Sequence, residues 1–553
     1  MTIRSVWAAL AVALGATALT PGIASEALTR TSVDLAGTAR AEAETAPETV
    51  DSLFEAFWDA TSAKDAAKVT DRIVKAGLGF DEVFERLERG RPYKAKVATG
   101  EVRWIGHAAG LDAELTTRIV VPKDYDSTER YPVRVQLHGG VAREAPRENR
   151  SRRSLESSRA TIHVMPTGYA AAQWWFANQI DNIERLIDRL KRTYNVDENR
   201  VHLIGVSDGG TGTYFFAFRD TTPWAAFVPL NGFPRVLANP SVGTDGELYS
   251  TNLANKPLFV INGGRDPLYP ASAVVPYLEM FQKAGAAVTF RPKINAGHDT
   301  SWWDEEQFTI DDFVDDHPRD PLPDRLSWQT ERTDRYNRAH WLVIDELDAS
   351  RSEAPLEDVN TIQKLAEPDF GMRVDSRVSS GTKVVDVIAN TDAQQMGLLK
   401  ADLITEVDGR RVGSGADIVE AMQRHEDGEP IRFVVQRRSE KVTLSIPFPP
   451  KPHLPPPEAA FPRLKASGRV DIERQGNRVE ARTKGVGTFT LLLSPRRFEL
   501  DKPVVVTVNG REVFNGRVQP DVATLLRWAA RDNDRTMLFG AELRIEVPAR
   551  TAS

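Results

Sequence analysis

Gly205-Val206-Ser207-Asp208-Gly209-Gly210 is the stretch on which the reading of this chain turns. An apolar, strand-like run, Val201–Gly205, leads into it, and a helix-like run, Thr211–Phe218, leads out. A serine hydroxyl ionises far above neutral pH, so it is a poor nucleophile unless it stands exposed beside a base. A strand-to-helix turn flanked by glycines permits the tight backbone that lifts such a serine clear of the fold. Six residues alone make a weak pattern, and their surroundings decide its meaning.

Upstream, the strand-like Val133–Leu137 ends in His138-Gly139-Gly140, where backbone amides can face a developing oxyanion. The amide of Asp208, directly after the serine, is the expected second donor. Downstream, Pro257–Ile261 leads into Asn262-Gly263-Gly264-Arg265-Asp266-Pro267, and Val288–Ile294 leads into Asn295-Ala296-Gly297-His298-Asp299. Each places a chemically useful side chain on a loop after a strand, where open α/β sheets build their sites. A hydroxyl, a carboxylate and an imidazole thus occur in the order Ser207, Asp266, His298. Asp299 and Asp304 are alternatives for the acid, and His317 for the base. His138 is expected to be structural. Aromatic residues crowd at Trp174-Trp175-Phe176 and at Trp302-Trp303. Trp174, Trp175 and Trp302 offer flat faces for a sugar, an aryl group or an apolar side chain, core packing being the competing use.

Val133–Leu137, Thr161–Met165, Val201–Gly205, Phe227–Leu230, Leu258–Ile261 and Val288–Phe290 alternate with helix-like runs, among them Ile183, Leu186, Ile187 and Leu190. Such alternation predicts an α/β fold with a doubly wound, mostly parallel sheet covered on both faces. Together, these segments of about 200 residues resemble the α/β-hydrolase superfamily, near exported polyhydroxyalkanoate depolymerases and feruloyl or acetylxylan esterases. The prolyl oligopeptidase branch shares the chemistry. The resemblance implies Ser207 as nucleophile, His298 as general base and then acid, Asp266 orienting it, and Gly139, Gly140 and Asp208 holding the oxyanion.

Residues 370–448 read as a separate unit. Phe370–Val374 opens it, Lys383–Ala389, the short helix-like Asp392–Gly397 and Asp402–Gly409 follow, Ile418, Val419 and Met422 share a helix face, and Val442, Leu444, Ile446 and Phe448 alternate. It resembles a bacterial, protease-associated PDZ domain. That resemblance implies that amides around Phe370, Gly371 and Met372 receive a peptide's terminal carboxylate. The peptide would add as a strand between that edge and the helix bearing Ile418 and Met422. One departure is Lys400-Ala401-Asp402, where relatives usually place glycine before the aspartate.

The remaining chain is organised around these two parts. Arg4 precedes an apolar run, Val6–Leu19, that is too short to cross a membrane and is followed by Pro21-Gly22 and Ile23-Ala24-Ser25. Residues 1–25 are therefore an expected signal peptide, and the protein is expected to be exported, periplasmic or secreted, without a membrane span. Residues 26–95 read as a flexible lead and a helical segment, 96–320 as the hydrolase-like domain, and 321–350 as strands joining a C-terminal β unit. The PDZ-like domain takes 365–448. Seven prolines between Pro447 and Pro457 predict a stiff spacer over 449–460. Residues 461–550 read as a mainly β domain, with Asn509-Gly510 as a hairpin turn.

Composition narrows the function. With 71 basic and 78 acidic side chains among 553 residues, the net charge is −7, which offers no basic footprint for nucleic acid. The absence of cysteine excludes disulfides, thiolate metal sites and cysteine nucleophiles. No zinc motif occurs, and the acidic run Asp311–Asp316 lacks calcium-loop spacing, so no metal or cofactor is expected. The expected partners are an ester or peptide substrate and a protein C-terminus. An esterase, a peptidase and a non-catalytic peptide-binding scaffold are the three functions in play.

Overall fold

The computed structural model describes residues 49–61, 63–106, 114–146, 159–351, 354–363, 370–375, 381–389, 391–425, 428–447 and 456–549. The expected signal peptide lies outside them. Two compact units emerge: one contains Leu365–Pro455, and the other contains Thr49–Lys364 and Pro456–Ser553.

The larger unit begins with three amphipathic helices, α1 (Val50–Asp59), α2 (Ala63–Lys75) and α3 (Phe80–Arg89). Their buried Leu53, Phe57, Ile73, Val83 and Leu87 pack with Leu525, Leu526 and Ala529, far along the chain. An eight-stranded sheet follows: β1 (Gly100–Gly106), β2 (Leu115–Val121), β3 (Tyr131–Leu137), β4 (Ile162–Pro166), β5 (Val196–Val206), β6 (Phe227–Leu230), β7 (Leu258–Val260) and β8 (Val288–Phe290). Its order is β1-β2-β4-β3-β5-β6-β7-β8. β3 to β8 run parallel, while β1 and β2 pair antiparallel at one edge.

Helices α4 (Ala177–Thr193), α5 (Asp208–Arg219), α6 (Ala271–Lys283) and α7 (Trp303–Asp316) connect and cover the strands. Period-2 alternation within the strands explains the two covered faces. Leu203, Phe227, Leu258 and Val260 face the core shared with α4, α5 and α6. Ile204, Val228 and Phe259 face the core shared with α7. Strands buried on both sides read as continuous apolar runs, and this is the doubly wound, α/β-hydrolase arrangement.

Beyond α7 come β9 (Arg325–Thr330), β10 (Arg338–Ala339), β11 (Leu342–Leu347) and the short β12 (Thr361–Ile362). The chain then leaves for the second unit. That unit is a six-stranded sheet of β13 (Met372–Asp375), β14 (Thr382–Val387), β15 (Leu403–Val407), β16 (Arg410–Arg411), β17 (Pro430–Arg437) and β18 (Glu440–Pro447). It carries helices α8 (Asp392–Met396) and α9 (Gly415–Gln423), the latter opened by a Ser414–Asp417 capping box. β13 forms one edge of the sheet.

The chain returns at β19 (Glu458–Ala459), which pairs with β12. Asn360 clamps this junction by donating to Phe461 O and accepting from Phe461 N. The spacer expected over 449–460 is therefore corrected at its end, since Ala460 and Phe461 are buried in the central core. Two β-sheets complete the unit. β20 (Gly468–Gln475), β21 (Arg478–Lys484), β23 (Val504–Val508) and β24 (Arg511–Gly516) join β9, and β22 (Val486–Leu493) and β25 (Ala541–Glu546) join β10 and β11. Between β24 and β25 lies a helix, α10 (Val522–Asp532), absent from the sequence reading of hairpins. It is the element that α1–α3 pack against.

Buried ion pairs fasten this C-terminal part to the central sheet's domain. Arg535 reaches Glu198 at 2.6 Å and Asn195 at 2.9 Å, and Arg319 reaches Asp534 at 2.7 Å. The neighbouring Arg319 and Lys191 charges hold the Asp534 carboxyl far below its ordinary pKa, outweighing the cost of burial.

Candidate active site

Ser207 sits where β5 turns into α5, with φ 59° and ψ −120°. A non-glycine residue with positive φ is strained, and neighbouring contacts hold it there. Ser207 N donates to Leu230 O at 2.9 Å, and Thr211 N donates to Ser207 O at 2.9 Å. The flanking glycines answer a packing demand: a Cβ on Gly205 would lie 2.1 Å from Gly209 O, and one on Gly209 would lie 2.1 Å from Leu137 O.

Facing the serine is His298, whose Nε2 lies 2.8 Å from Ser207 Oγ. Its Nδ1 lies 2.6 Å from Oδ2 of the buried Asp266. The other oxygen of Asp266 accepts from Leu268 N at 2.8 Å and Tyr269 N at 2.9 Å, so the carboxylate is held by three contacts. Asn231 Nδ2 donates to Asp299 O at 2.7 Å and ties the histidine's loop to the end of β6. An acceptor at Nδ1 fixes a neutral ring with its lone pair at Nε2, toward the serine. The Asp299 carboxylate instead accepts from Ser301 N at 2.8 Å, and Asp304 is exposed. His317 caps α7, with Nδ1 2.7 Å from Phe313 O.

The Gly139-Gly140 turn lies directly against the serine. A Cβ on Gly139 would be 2.8 Å from Ser207 Cβ and 3.4 Å from Oγ. His138 anchors this turn: its Nε2 accepts from Gly168 N at 2.9 Å, which leaves Nδ1–H to donate to Gly139 O at 2.8 Å. Burial lowers the His138 pKa, in keeping with that neutral ring. In a trans peptide the C=O and N–H point in opposite directions, so the Gly140 N–H is directed away from His138. Val141 N donates to Asp208 Oδ2 at 2.9 Å and joins the turn to the first residue of α5. The positive end of that helix dipole adds to a field that suits an anion.

The tryptophans read as a substrate surface require correction. Trp174 is fully buried and donates to His138 O at 2.9 Å, so it supports the glycine turn from behind. Trp175 is buried and donates to Val242 O at 2.8 Å, while Trp302 packs with Trp303 and Ile310 in the core under α7. Large rings gain most by removing their apolar area from water. The walls that the sequence reading missed are nearer. The Tyr269 ring stands edge-on at 5.5 Å to His298, and Leu268 and Ile294 are exposed on the two loops that carry the acid and the base. Burial raises the Tyr269 hydroxyl to about 12, helped by the charges of Asp208 and Asp266. Tyr269 and Leu268 follow Asp266 within three residues, a proximity visible in the sequence.

In the second unit, the side chains of the residues named for peptide binding are interior. Phe370 stacks on Phe433 at 5.4 Å, and Met372, Ile418 and Met422 belong to the same core. Helix α9 needs that apolar face to hold the small unit together. Gly371 has φ 81°, and a Cβ there would strike Thr391 at 2.1 Å. The edge strand β13 therefore offers backbone, and its buried side chains do not form the groove wall. Among the described residues, no cluster of three metal-ligating side chains occurs, and no helix is long and apolar enough to cross a membrane.

Known proteins match this chain over part of its length. Among solved structures, a thermostable esterase is similar at 18% identity and a TM-score of 0.33, over 40% of this chain and 63% of that one. A ferulic acid esterase is similar at 17% and 0.32, over 39% and 96%. An acylaminoacyl peptidase of Pyrococcus horikoshii is similar at 14% and 0.32, over 39% and 41%. Among curated proteins, the serine protease HTRA1 of Xenopus tropicalis is 31% identical over 68 residues, 12% of this chain and 14% of that protein. The bifunctional acetylxylan esterase/xylanase XynS20E of Neocallimastix patriciarum is 32% identical over 82 residues, 14% of this chain and 12% of that protein. The chain thus spans only about one seventh of the length of the curated relatives it matches. Residues 368–448 match the family model described as PDZ domain, and they form a PDZ domain here.

Proposed function

We propose that this protein is an exported serine hydrolase that cleaves carboxylic esters through an acyl-enzyme. The observation that carries the reading is the continuous relay Ser207 Oγ–His298 Nε2–Asp266, at 2.8 and 2.6 Å. Ser207 Oγ attacks the ester carbonyl while His298 Nε2 takes its proton. Amides of Gly139, Gly140 and Asp208 hold the oxyanion. The tetrahedral adduct collapses, the alcohol leaves with the proton from His298, and the acyl group stays on Ser207. Water then attacks, His298 again moving the proton, and the carboxylic acid is released. Asp266 keeps Nδ1 protonated and stabilises the transient imidazolium. Export is supported by the N-terminal Arg4, the apolar run and the small-residue exit at Ser25.

A peptidase is the second reading, and the PDZ domain is the observation that favours it. An edge strand such as β13 recruits an extended peptide by backbone pairing, which would bring protein C-termini to the enzyme. Labelling with a fluorophosphonate, with Ser207→Ala as the control, tests the nucleophile. Competition by ester and peptide panels then chooses between the substrates. Labelling that persists in Ser207→Ala, or a folded wild-type protein that takes no label, would refute the hydrolase and leave a peptide-binding scaffold.

A further inference from the structure

Arg143 follows the Gly139-Gly140 turn by three residues, and its side chain folds back over it. The position a Cβ would take on Gly140, which has φ 69°, lies 3.5 Å from Arg143 Nη2 and 3.6 Å from Cζ and Nε. The guanidinium thus lies within van der Waals reach of Gly140. The backbone of Arg143 is pinned from the other side, its carbonyl accepting from Ala170 N at 2.8 Å. Next to Gly140, Gly139 touches Ser207. The cation is thus held at the margin of the reacting centre. Its charge is also one of the influences that lower the His138 pKa.

A guanidinium is always charged and presents a planar fork of donors matched to a carboxylate. Arg143 is exposed, and it has no carboxylate partner among the described residues. Asp208, the nearby acid, spends an oxygen on Val141 N. A positive charge beside an oxyanion site raises the local concentration of anionic substrate and orients it. On the loops that carry Asp266 and His298, the exposed Leu268 and Ile294 supply apolar surface.

We infer that Arg143 selects substrates bearing a carboxylate close to the scissile carbonyl, with an apolar stretch between or beside the two groups. This rests on the serine-hydrolase reading. No bond is made to Arg143; it acts on binding and orientation.

The test compares pairs of substrates that differ only in charge. One pair carries the charge on the acyl side: the 4-nitrophenyl monoester of adipic acid and its methyl ester. The other carries it on the leaving group: 3-acetoxybenzoate and its methyl ester. The readout is the ratio of kcat/KM for the anionic member to that for the neutral one. Arg143→Gln is expected to lower this ratio about tenfold or more in one pair, the scale of one charged hydrogen bond. Arg143→Lys should keep part of it. Arg265→Gln, at another exposed arginine on a site loop, separates a local contact from a general field. An unchanged ratio in both pairs, or an equal fall with Arg265→Gln, overturns the assignment to Arg143 while leaving Ser207-dependent hydrolysis standing. Absence of Ser207-dependent hydrolysis of all four esters overturns the hydrolase reading and this inference with it.

Discussion

Among the described residues, two histidine–aspartate pairs occur, and they differ in what faces the second ring nitrogen. In the central α/β domain, His298 Nδ1 meets Asp266 at 2.6 Å and Nε2 meets a hydroxyl, Ser207 Oγ, at 2.8 Å. In the PDZ domain, His425 Nδ1 meets Asp408 at 2.7 Å and Nε2 meets a carbonyl, Glu429 O, at 2.8 Å. A hydroxyl both donates and accepts, so His298 keeps a lone pair for a proton. A carboxylate and a carbonyl only accept, so both ring nitrogens of His425 face acceptors and neither faces a hydroxyl. In the proposed mechanism the same pair of residues makes a base in one place, and in the other it ties a loop. The third partner and the backbone that presents it decide which.

Breaking each pair in turn should separate the two roles by orders of magnitude. Ser207→Ala or His298→Ala is expected to reduce ester turnover about 10⁴- to 10⁶-fold, since relay members act as a unit. Far-ultraviolet circular dichroism checks that the fold persists. His425→Ala should leave turnover within about twofold, and should cost local stability of about 1 kcal/mol, the worth of a hydrogen bond or two. A large loss of turnover in His425→Ala would refute the distinction.

The acids sharpen it further. Asp266→Asn retains the shape but presents an amide that can hold the wrong tautomer of His298, and about a 10³- to 10⁴-fold loss of kcat is expected. Asp408 accepts from Arg432 N at 2.8 Å as well as facing His425. Asp408→Asn should therefore register in hydrogen exchange of the β17 amides, with kcat unchanged.

A third class of histidine has no acid at all. His163 on β4 and His202 on β5 lie in the central sheet, and burial lowers both to about 3. Nearby arginine charges act in the same direction. Unfolded, each titrates near ~6.5. Between those values the unfolded chain binds more protons, so stability is full above about pH 6.5 and declines as pH falls toward 3. The slope approaches about 1.4 kcal/mol per pH unit for each histidine. Urea unfolding at several pH values measures it, and His202→Leu should flatten the slope between pH 6 and 4. The Nδ1 of His202 makes no hydrogen bond within the protein, so little is lost by removing it.

The legibility of this site in the sequence follows from how local its signals are. A glycine-flanked serine after Val201–Gly205, and an acid and a histidine after apolar runs, each need only a few residues to be read. The β1 and β2 strands were not readable in the same way. β1 lies at the edge of the sheet with every second residue exposed, Ile105 among them, and its only buried side chain is Trp104. Helix α10 was hidden among hairpins because its partners, Leu53 to Leu87, lie more than 400 residues earlier. The tryptophans were misread for a single reason. Composition reveals that an apolar side chain is present, and only the packing of its neighbours reveals whether it turns inward.

The smallest effect concerns backbone strain, and it carries the comparison from side chains to main chain. Ser207 and Ala401 both adopt positive φ without being glycine, at 59° and 77°. Ser207 is held by contacts that present a hydroxyl to His298. Ala401 is held by contacts that only close a turn: its N donates to Val384 O at 2.8 Å, while Asp402 accepts from Leu399 N at 2.9 Å and pairs with Arg437 at 2.7 Å. An alanine in the left-handed region costs about 1–2 kcal/mol, and glycine returns part of that through the freedom of the unfolded chain. Ala401→Gly should therefore stabilise the PDZ domain by a net ~0.5 kcal/mol, read as slower hydrogen exchange of β14 and β15 amides in the whole protein. Ser207→Gly relieves strain of the same kind in the central domain and should raise its stability while removing the nucleophile. Faster exchange in Ala401→Gly would mean that the Cβ of Ala401 contributes packing that outweighs the strain. A matched gain at both positions, with turnover lost at only one, would show that strain at the elbow is kept for the sake of the hydroxyl it presents.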